Sequence, residues 1–227
     1  MSSALVRPAF DEFRALAATH NRVSVVATLI CDELTPVSAF VRLNAGAERA
    51  FLFESVVGGE KVARYSFLSA NPAKTFEATR DQVRLTDHRA GQVEVSTHAD
   101  PLGVLEGLLA EYNAAALPGL PRFLGGAVGY AAYDMVRYVE KLPDAPPDDR
   151  DLPDLLFDIY ESMVVFDLAH KTVLVVAYAT VSPGADEAEL RAAYDAARGA
   201  IDAVVHKLSQ PAAMAPVQVD LPAPPAD

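Results

Sequence analysis

The apolar positions of the chain change period several times, and each change predicts an element. In PAFDEFRALAATH, residues 8–20, Phe10, Phe13 and Leu16 or Ala17 recur at three-to-four spacing, and Pro8 suits a first helical turn. That spacing predicts a short amphipathic helix. VSVVATLI, residues 23–30, is a β-branched run that reads as a buried strand. Thr35 and Pro36 then supply an N-cap and a proline at the first helical position, opening a helix through VSAFVRL that Gly46 stops. Residues 51–72, FLFESVVGGEKVARYSFLSANP, read as strand, turn at Gly58 and Gly59, and returning strand.

Three segments then alternate apolar with polar residues: 74–80, 82–87 and 92–98, with a turn at residues 89–91. This is the pattern of a half-solvated antiparallel sheet. PLGVLEGLLAEYN, 101–113, predicts a helix with Leu102, Leu105, Leu108 or Leu109 and Tyr112 turned inward. Residues 122–143 begin as a glycine-laden strand and turn helical near Tyr133, and the proline-rich acidic stretch 144–154 is a loop. LLFDIYESMVVFD (155–167) and KTVLVVAYAT (171–180) predict one long hairpin. Over 185–208, Leu190, Tyr194, Ala197, Ile201, Val205 and Leu208 form a single helical stripe. Strands and helices arrive in mixed order with hairpins, so the predicted class is α+β, an antiparallel sheet or sandwich core flanked by helices.

Composition narrows the function classes. With 51% hydrophobic and 22% charged residues in 227, the chain can bury a large core. Nineteen basic residues against 31 acidic give a net charge of −12, which argues against nucleic acid and against an anionic membrane surface. No apolar run reaches about 18 residues, the length of a membrane-spanning helix. The N-terminus carries an acidic pair where a signal peptide would be apolar, so the expected location is cytoplasmic. The single Cys31 fits a reducing compartment and a core thiol. The five histidines stand singly without ligand spacing, which disfavours zinc.

The chemistry concentrates on residues 51–67. A free amino acid needs a carboxylate for its ammonium, a guanidinium or hydroxyl for its carboxylate, and an apolar slot for its side chain. Glu54, Ser55 and Arg64 cover the first two, and Phe51, Phe53, Tyr65 and Phe67 can build the third. The same residues also permit a plain reading, in which Glu54 and Arg64 form a cross-strand ion pair and Ser55 fills a small space. The glycines of LGGAVGY read as close strand packing, because no helix N-terminus follows them directly.

Four blocks of this sequence resemble the N-terminal domain of anthranilate synthase component I: DELTPVSAF (32–40), residues 51–72, FLGGAVGYAAYDMVRYVEKLP (123–143) and DLLFDIYESMVVFD (154–167). The large subunit of aminodeoxychorismate synthase is similar but looser. The resemblance implies a β-rich α+β regulatory unit carrying part of a feedback site for L-tryptophan. That site would fall on Glu54, Ser55, Arg64, Tyr65 and Ser66, with Phe53 where the family has leucine. It further implies a chorismate-binding catalytic domain that uses magnesium to convert chorismate to anthranilate, and a glutamine amidotransferase partner supplying ammonia. The motifs of that catalytic domain are not found in residues 1–227, so no cofactor is expected in this chain and no activity from it alone. Residues 1–208 are expected to form the N-terminal domain, and 209–227, with five prolines, a linker or disordered tail. A purely structural docking domain is the remaining alternative.

Overall fold

The β-branched run near the N-terminus becomes a central strand. In the computed structural model, which describes residues 5–30, 32–55, 64–144 and 147–211, β2 (Arg22–Leu29) lies between the two-residue β1 (Val6–Arg7) and β11 (Thr172–Thr180). The described strands form two antiparallel sheets. The first, of six strands, runs β1-β2-β11-β10-β4-β3, where β3 is Ala50–Phe53, β4 is Tyr65–Ala70 and β10 is Ser162–Asp167. The second runs β7-β6-β5-β9-β8, comprising β5 (Lys74–Thr79), β6 (Gln82–Asp87), β7 (Gln92–Thr97), β8 (Gly126–Ala131) and β9 (Leu155–Tyr160).

The predicted helices stand where their stripes placed them. Helix α1 spans Phe10–Ala17, and α2 spans Pro36–Asn44. The N-cap of α2 is Thr35, whose side chain accepts from the Ser38 N–H while Ser38 returns a bond to the Thr35 N–H. Helix α3 is Pro101–Ala110, and α4, Glu187–Leu208, opens on a second capping box between Asp186 and Glu189. The stripe of α4 buries Tyr194, Ala197, Ile201 and Leu208 against one face of the six-stranded sheet, together with Phe13 of α1 and Ala39 and Leu43 of α2. Tyr194 donates its hydroxyl hydrogen to the Pro8 carbonyl at 2.8 Å, which satisfies the phenol inside the core. The opposite face of that sheet holds Val26, Met163, Val165, Leu174 and Val176, covered by Leu120, Phe123 and Leu124. A third cluster packs Leu105 of α3 on Phe76, Ala78, Val83 and Leu155 of the second sheet.

One expectation is corrected. Residues 155–167 are not one arm of a long hairpin: β9 belongs to the second sheet, β10 to the first, and Glu161 alone separates them. An alternating pattern shows where side chains point but not when the strand changes partners. The segment after the glycine-laden strand turns helical at Tyr133 as expected, in a short 3-10 helix, Tyr133–Tyr138. Its Arg137 pairs with Asp134 at 3.0 Å.

The glycines of GGAVGY act in packing. A Cβ at Gly129 would run into the Leu156 carbonyl, and would stand 2.8 Å from the Phe157 Cα on the paired strand. Both obstacles are backbone and cannot rotate away. Gly107, in α3, has open space at its Cβ position. In urea titrations followed by circular dichroism, G129A should lower unfolding free energy by roughly 1–3 kcal/mol. G107A should raise it by about 0.5–1 kcal/mol.

Candidate functional site

The predicted site lies at the end of the edge strand β3. Its register with β4 pairs Leu52 with Leu68 and Phe53 with Phe67, and the strand stops there. The next partner is a side chain: the Ser55 N–H donates to Ser66 Oγ at 3.4 Å. Ser66 is fully buried, so its hydroxyl is a fixed acceptor holding the chain as it leaves the sheet. A regular strand would send Glu54 and Ser55 to opposite faces. The departure from the ladder after Phe53 removes that constraint. Glu54 is exposed and Ser55 is half-buried. Gly58 and Gly59, read as the turn, lie outside the described residues, as does Cys31.

The four aromatic residues stand in pairs. Phe51 and Phe53 have ring centroids 5.0 Å apart, Tyr65 and Phe67 are 6.0 Å apart, and Phe67 meets Phe123 edge-on at 5.4 Å. Phe51 also meets Tyr160 at 5.0 Å. Phe53 remains 52% exposed, an aromatic surface directly before Glu54 and Ser55.

Arg64 has a different partner from the Glu54 of the plain reading. Its Nε donates to Asp167 Oδ1 at 3.1 Å, and its Nη2 to Asp167 Oδ2 at 2.7 Å. The guanidinium carbon also sits 4.7 Å from the centroid of the Tyr65 ring. Asp167 ends β10 opposite Tyr65, and its Oδ1 also accepts from the N–H groups of Ala169 and His170 at 3.2 Å each. The His170 ring nitrogen Nδ1 lies 2.8 Å from Asp167 Oδ2. Burial pushes the Asp167 carboxyl upward, but the hydrogen bonds from Arg64 and His170 outweigh it and hold the group well below the ordinary carboxylate range. The bond to Asp167 in turn raises the Arg64 guanidinium.

Asp167 and His170 were not singled out in the sequence. Asp before Leu-Ala-His signals a turn in which the carboxylate caps backbone N–H groups, and this half of the role could have been read. The pairing with Arg64, 103 positions away, depends on the sheet order.

A second polar cluster lies where the sheets meet. Thr75 donates to Asp158 at 2.6 Å, and Arg49 stands 3.6 Å from Asp158 and 3.8 Å from Glu77. Burial and the neighbouring Asp158 push the Tyr160 phenol upward, keeping it neutral. A cavity of about 730 Å³ lies elsewhere, between Arg80, Tyr130, Arg137 and Asp154. Among the described residues no group of three His, Cys, Asp or Glu side chains is placed to hold a metal ion. No helix among them is long and apolar enough to cross a membrane.

The family of chorismate binding enzymes matches residues 48–221, most of the chain, and the protein belongs to that family. The particular likeness is to anthranilate synthase component 1. The Acetivibrio thermocellus protein is 34% identical over 185 residues, covering 82% of this chain and 37% of the relative. The Pseudomonas aeruginosa protein is 39% identical over 206 residues, covering 88% and 40%. The crystal structure of anthranilate synthase component I from Streptococcus pneumoniae TIGR4 aligns with a TM-score of 0.51 at 28% identity, over 81% of this chain and 37% of that one. The chain thus spans about two fifths of the length of these relatives.

The depressed Asp167 carboxyl predicts a pH dependence. A group whose folded pKa is lowered adds stability that is complete above its unfolded value of about 3.9 and fades as the pH falls below it. D167N should therefore unfold at lower urea concentration than wild type at pH 6–8. The gap should narrow progressively below about pH 4.

Proposed function

We propose that this chain is a regulatory unit of an anthranilate synthase component I, and that the β3–β4 end contributes part of a feedback site for L-tryptophan. The observation that carries this reading is the departure of β3 from its ladder at Glu54 and Ser55. These residues are left beside exposed Phe53, with Arg64 immediately before the returning strand. Glu54 would take the ligand ammonium, and Ser55 and Arg64 its carboxylate. The ring of Tyr65 and the buried hydroxyl of Ser66 shape the two chain ends. Residues outside this chain, on a chorismate-binding catalytic domain, would complete the pocket. That domain would make anthranilate with magnesium and with ammonia from a glutamine amidotransferase.

Control would be a population shift, in which L-tryptophan binds better to one arrangement of the two domains than to the other. The required coupling is about 1–3 kcal/mol. An indole burying ~150–250 Å² at ~25 cal/mol/Å² supplies about 4–6 kcal/mol before association costs. Those costs offset much of this sum, so the polar anchors decide affinity. This chain alone should bind weakly, because part of the pocket lies on the other domain.

A second reading, a structural docking unit, draws on the bond of Arg64 to Asp167, which uses the guanidinium to brace the fold. The two readings part at Ser55. The chain contains no tryptophan, so the fluorescence of added L-tryptophan reports binding directly. S55F should abolish the titration while the urea midpoint stays at the wild-type value, and E54Q should weaken binding by about tenfold, the loss of one charged contact. Loss of folding in S55F with unchanged binding in E54Q would favour the structural unit and overturn the regulatory one.

A further inference from the structure

We infer that Asp167 is the positioning residue of this ligand site: it fixes the Arg64 guanidinium by its Nε/Nη2 edge and leaves Nη1 to meet the carboxylate of the ligand. The inference rests on the reading of the site given above and adds the group that makes its cationic anchor specific.

Asp167 is only 6% exposed and carries five polar contacts. Three of them come from the turn that follows β10: the N–H groups of Ala169 and His170, and the His170 ring. These hold the carboxylate in place before Arg64 is considered. The guanidinium lies along the two carboxylate oxygens, with the Tyr65 ring against it and His170 Nδ1 at 2.9 Å from Nη2. A planar fork held along one edge and against one face cannot swing to follow a ligand. Among the described residues Nη1 has no hydrogen-bond partner, and it is the nitrogen that this inference assigns to the ligand carboxylate. Arg64 is followed immediately by Tyr65 and by Ser66, whose hydroxyl accepts from the Ser55 N–H. The two chain ends that flank residues 56–63 are therefore fixed by two short-range locks, Ser66 at one and Asp167 at the other.

The chemistry of this arrangement favours discrimination over affinity. Asp167 offsets part of the Arg64 charge, so the anchor attracts anions only modestly. What it gains is direction, which rewards a carboxylate at one position and gives nothing to a ligand without one. A zwitterionic amino acid should therefore be separated from the corresponding amine by Asp167, even though Asp167 does not touch either.

The test compares L-tryptophan with tryptamine, which lacks the carboxylate, in fluorescence titrations of the whole 227-residue chain and of two variants. D167N keeps Oδ1 for the turn N–H groups and for Arg64 Nε, but replaces Oδ2 by an amide that cannot accept from Nη2. D167E keeps both oxygens but moves them by one methylene. Wild type should prefer L-tryptophan over tryptamine by about tenfold or more, the worth of a charge-assisted bond. In both variants that ratio should fall to within about threefold, through weaker L-tryptophan binding at unchanged tryptamine binding. A wild-type ratio retained in D167N and D167E overturns the positioning role and leaves the site intact. Equal loss of both ligands also overturns it, in favour of a brace for the fold. Failure of wild type to bind either ligand removes the site itself, and the inference with it.

Discussion

One two-stranded ribbon runs through both sheets, and the rest of the structure is registered on it. Strand β4 pairs with β10 in the first sheet, and their continuations β5 and β9 pair in the second. The crossing takes three residues on one chain, Asn71–Ala73, and one on the other, Glu161. Asn71 adopts a left-handed φ of 57°, and the Ala73 N–H donates to the Ile159 carbonyl at 2.8 Å, so the pairing resumes directly after the bend. A slip of one residue would turn Leu68, Val164 and Phe166 away from the helices and send Phe67 and Val165 toward them. The cost of that inversion sets the register, and the register sets which side chains meet at the ribbon's ends.

The candidate site is the outer end of this ribbon. Because Val165 faces Phe67, Asp167 faces Tyr65, and Arg64 one residue further reaches the carboxylate. The same alignment puts β3 beside β4 with Phe53 opposite Phe67, so that Glu54 and Ser55 emerge where the ladder ends. Hydrophobic burial thus determines where a few polar groups stand, and hydrogen bonds of 2.7–3.4 Å hold them there. The low carboxyl of Asp167 is the electrostatic record of that arrangement. At the crossing, Thr75, Asp158 and Arg49 satisfy one another where the two sheets bend apart. They sit near Phe51 and Tyr160, which links the crossing to the aromatic face of the site.

The helices and most strands were legible because they follow local rules. The stripe of α4, the Thr35 cap of α2 and the alternation of β5, β6 and β7 each come from spacing within one segment. The change of sheet at Glu161 was not legible, since Tyr160 and Ser162 continue an unbroken strand pattern while their partners differ. The site shows the same division. Phe51, Phe53, Tyr65 and Phe67 could be grouped from one hairpin, and Ser66 supports Ser55 from within it. The partner of Arg64 could not be read, because Asp167 arrives from a strand that only the sheet order brings alongside.

The open end of β3 and β4 is where the proposed ligand would bind. Backbone amide chemical shifts of the isotope-labelled chain, followed while L-tryptophan is added, test this most directly. The largest shifts should fall on Ser55, Arg64, Tyr65 and Ser66, with smaller ones at Ala169 and His170. Shifts confined to Arg80, Tyr130 and Arg137 around the large cavity, with the β3–β4 end unmoved, would contradict it.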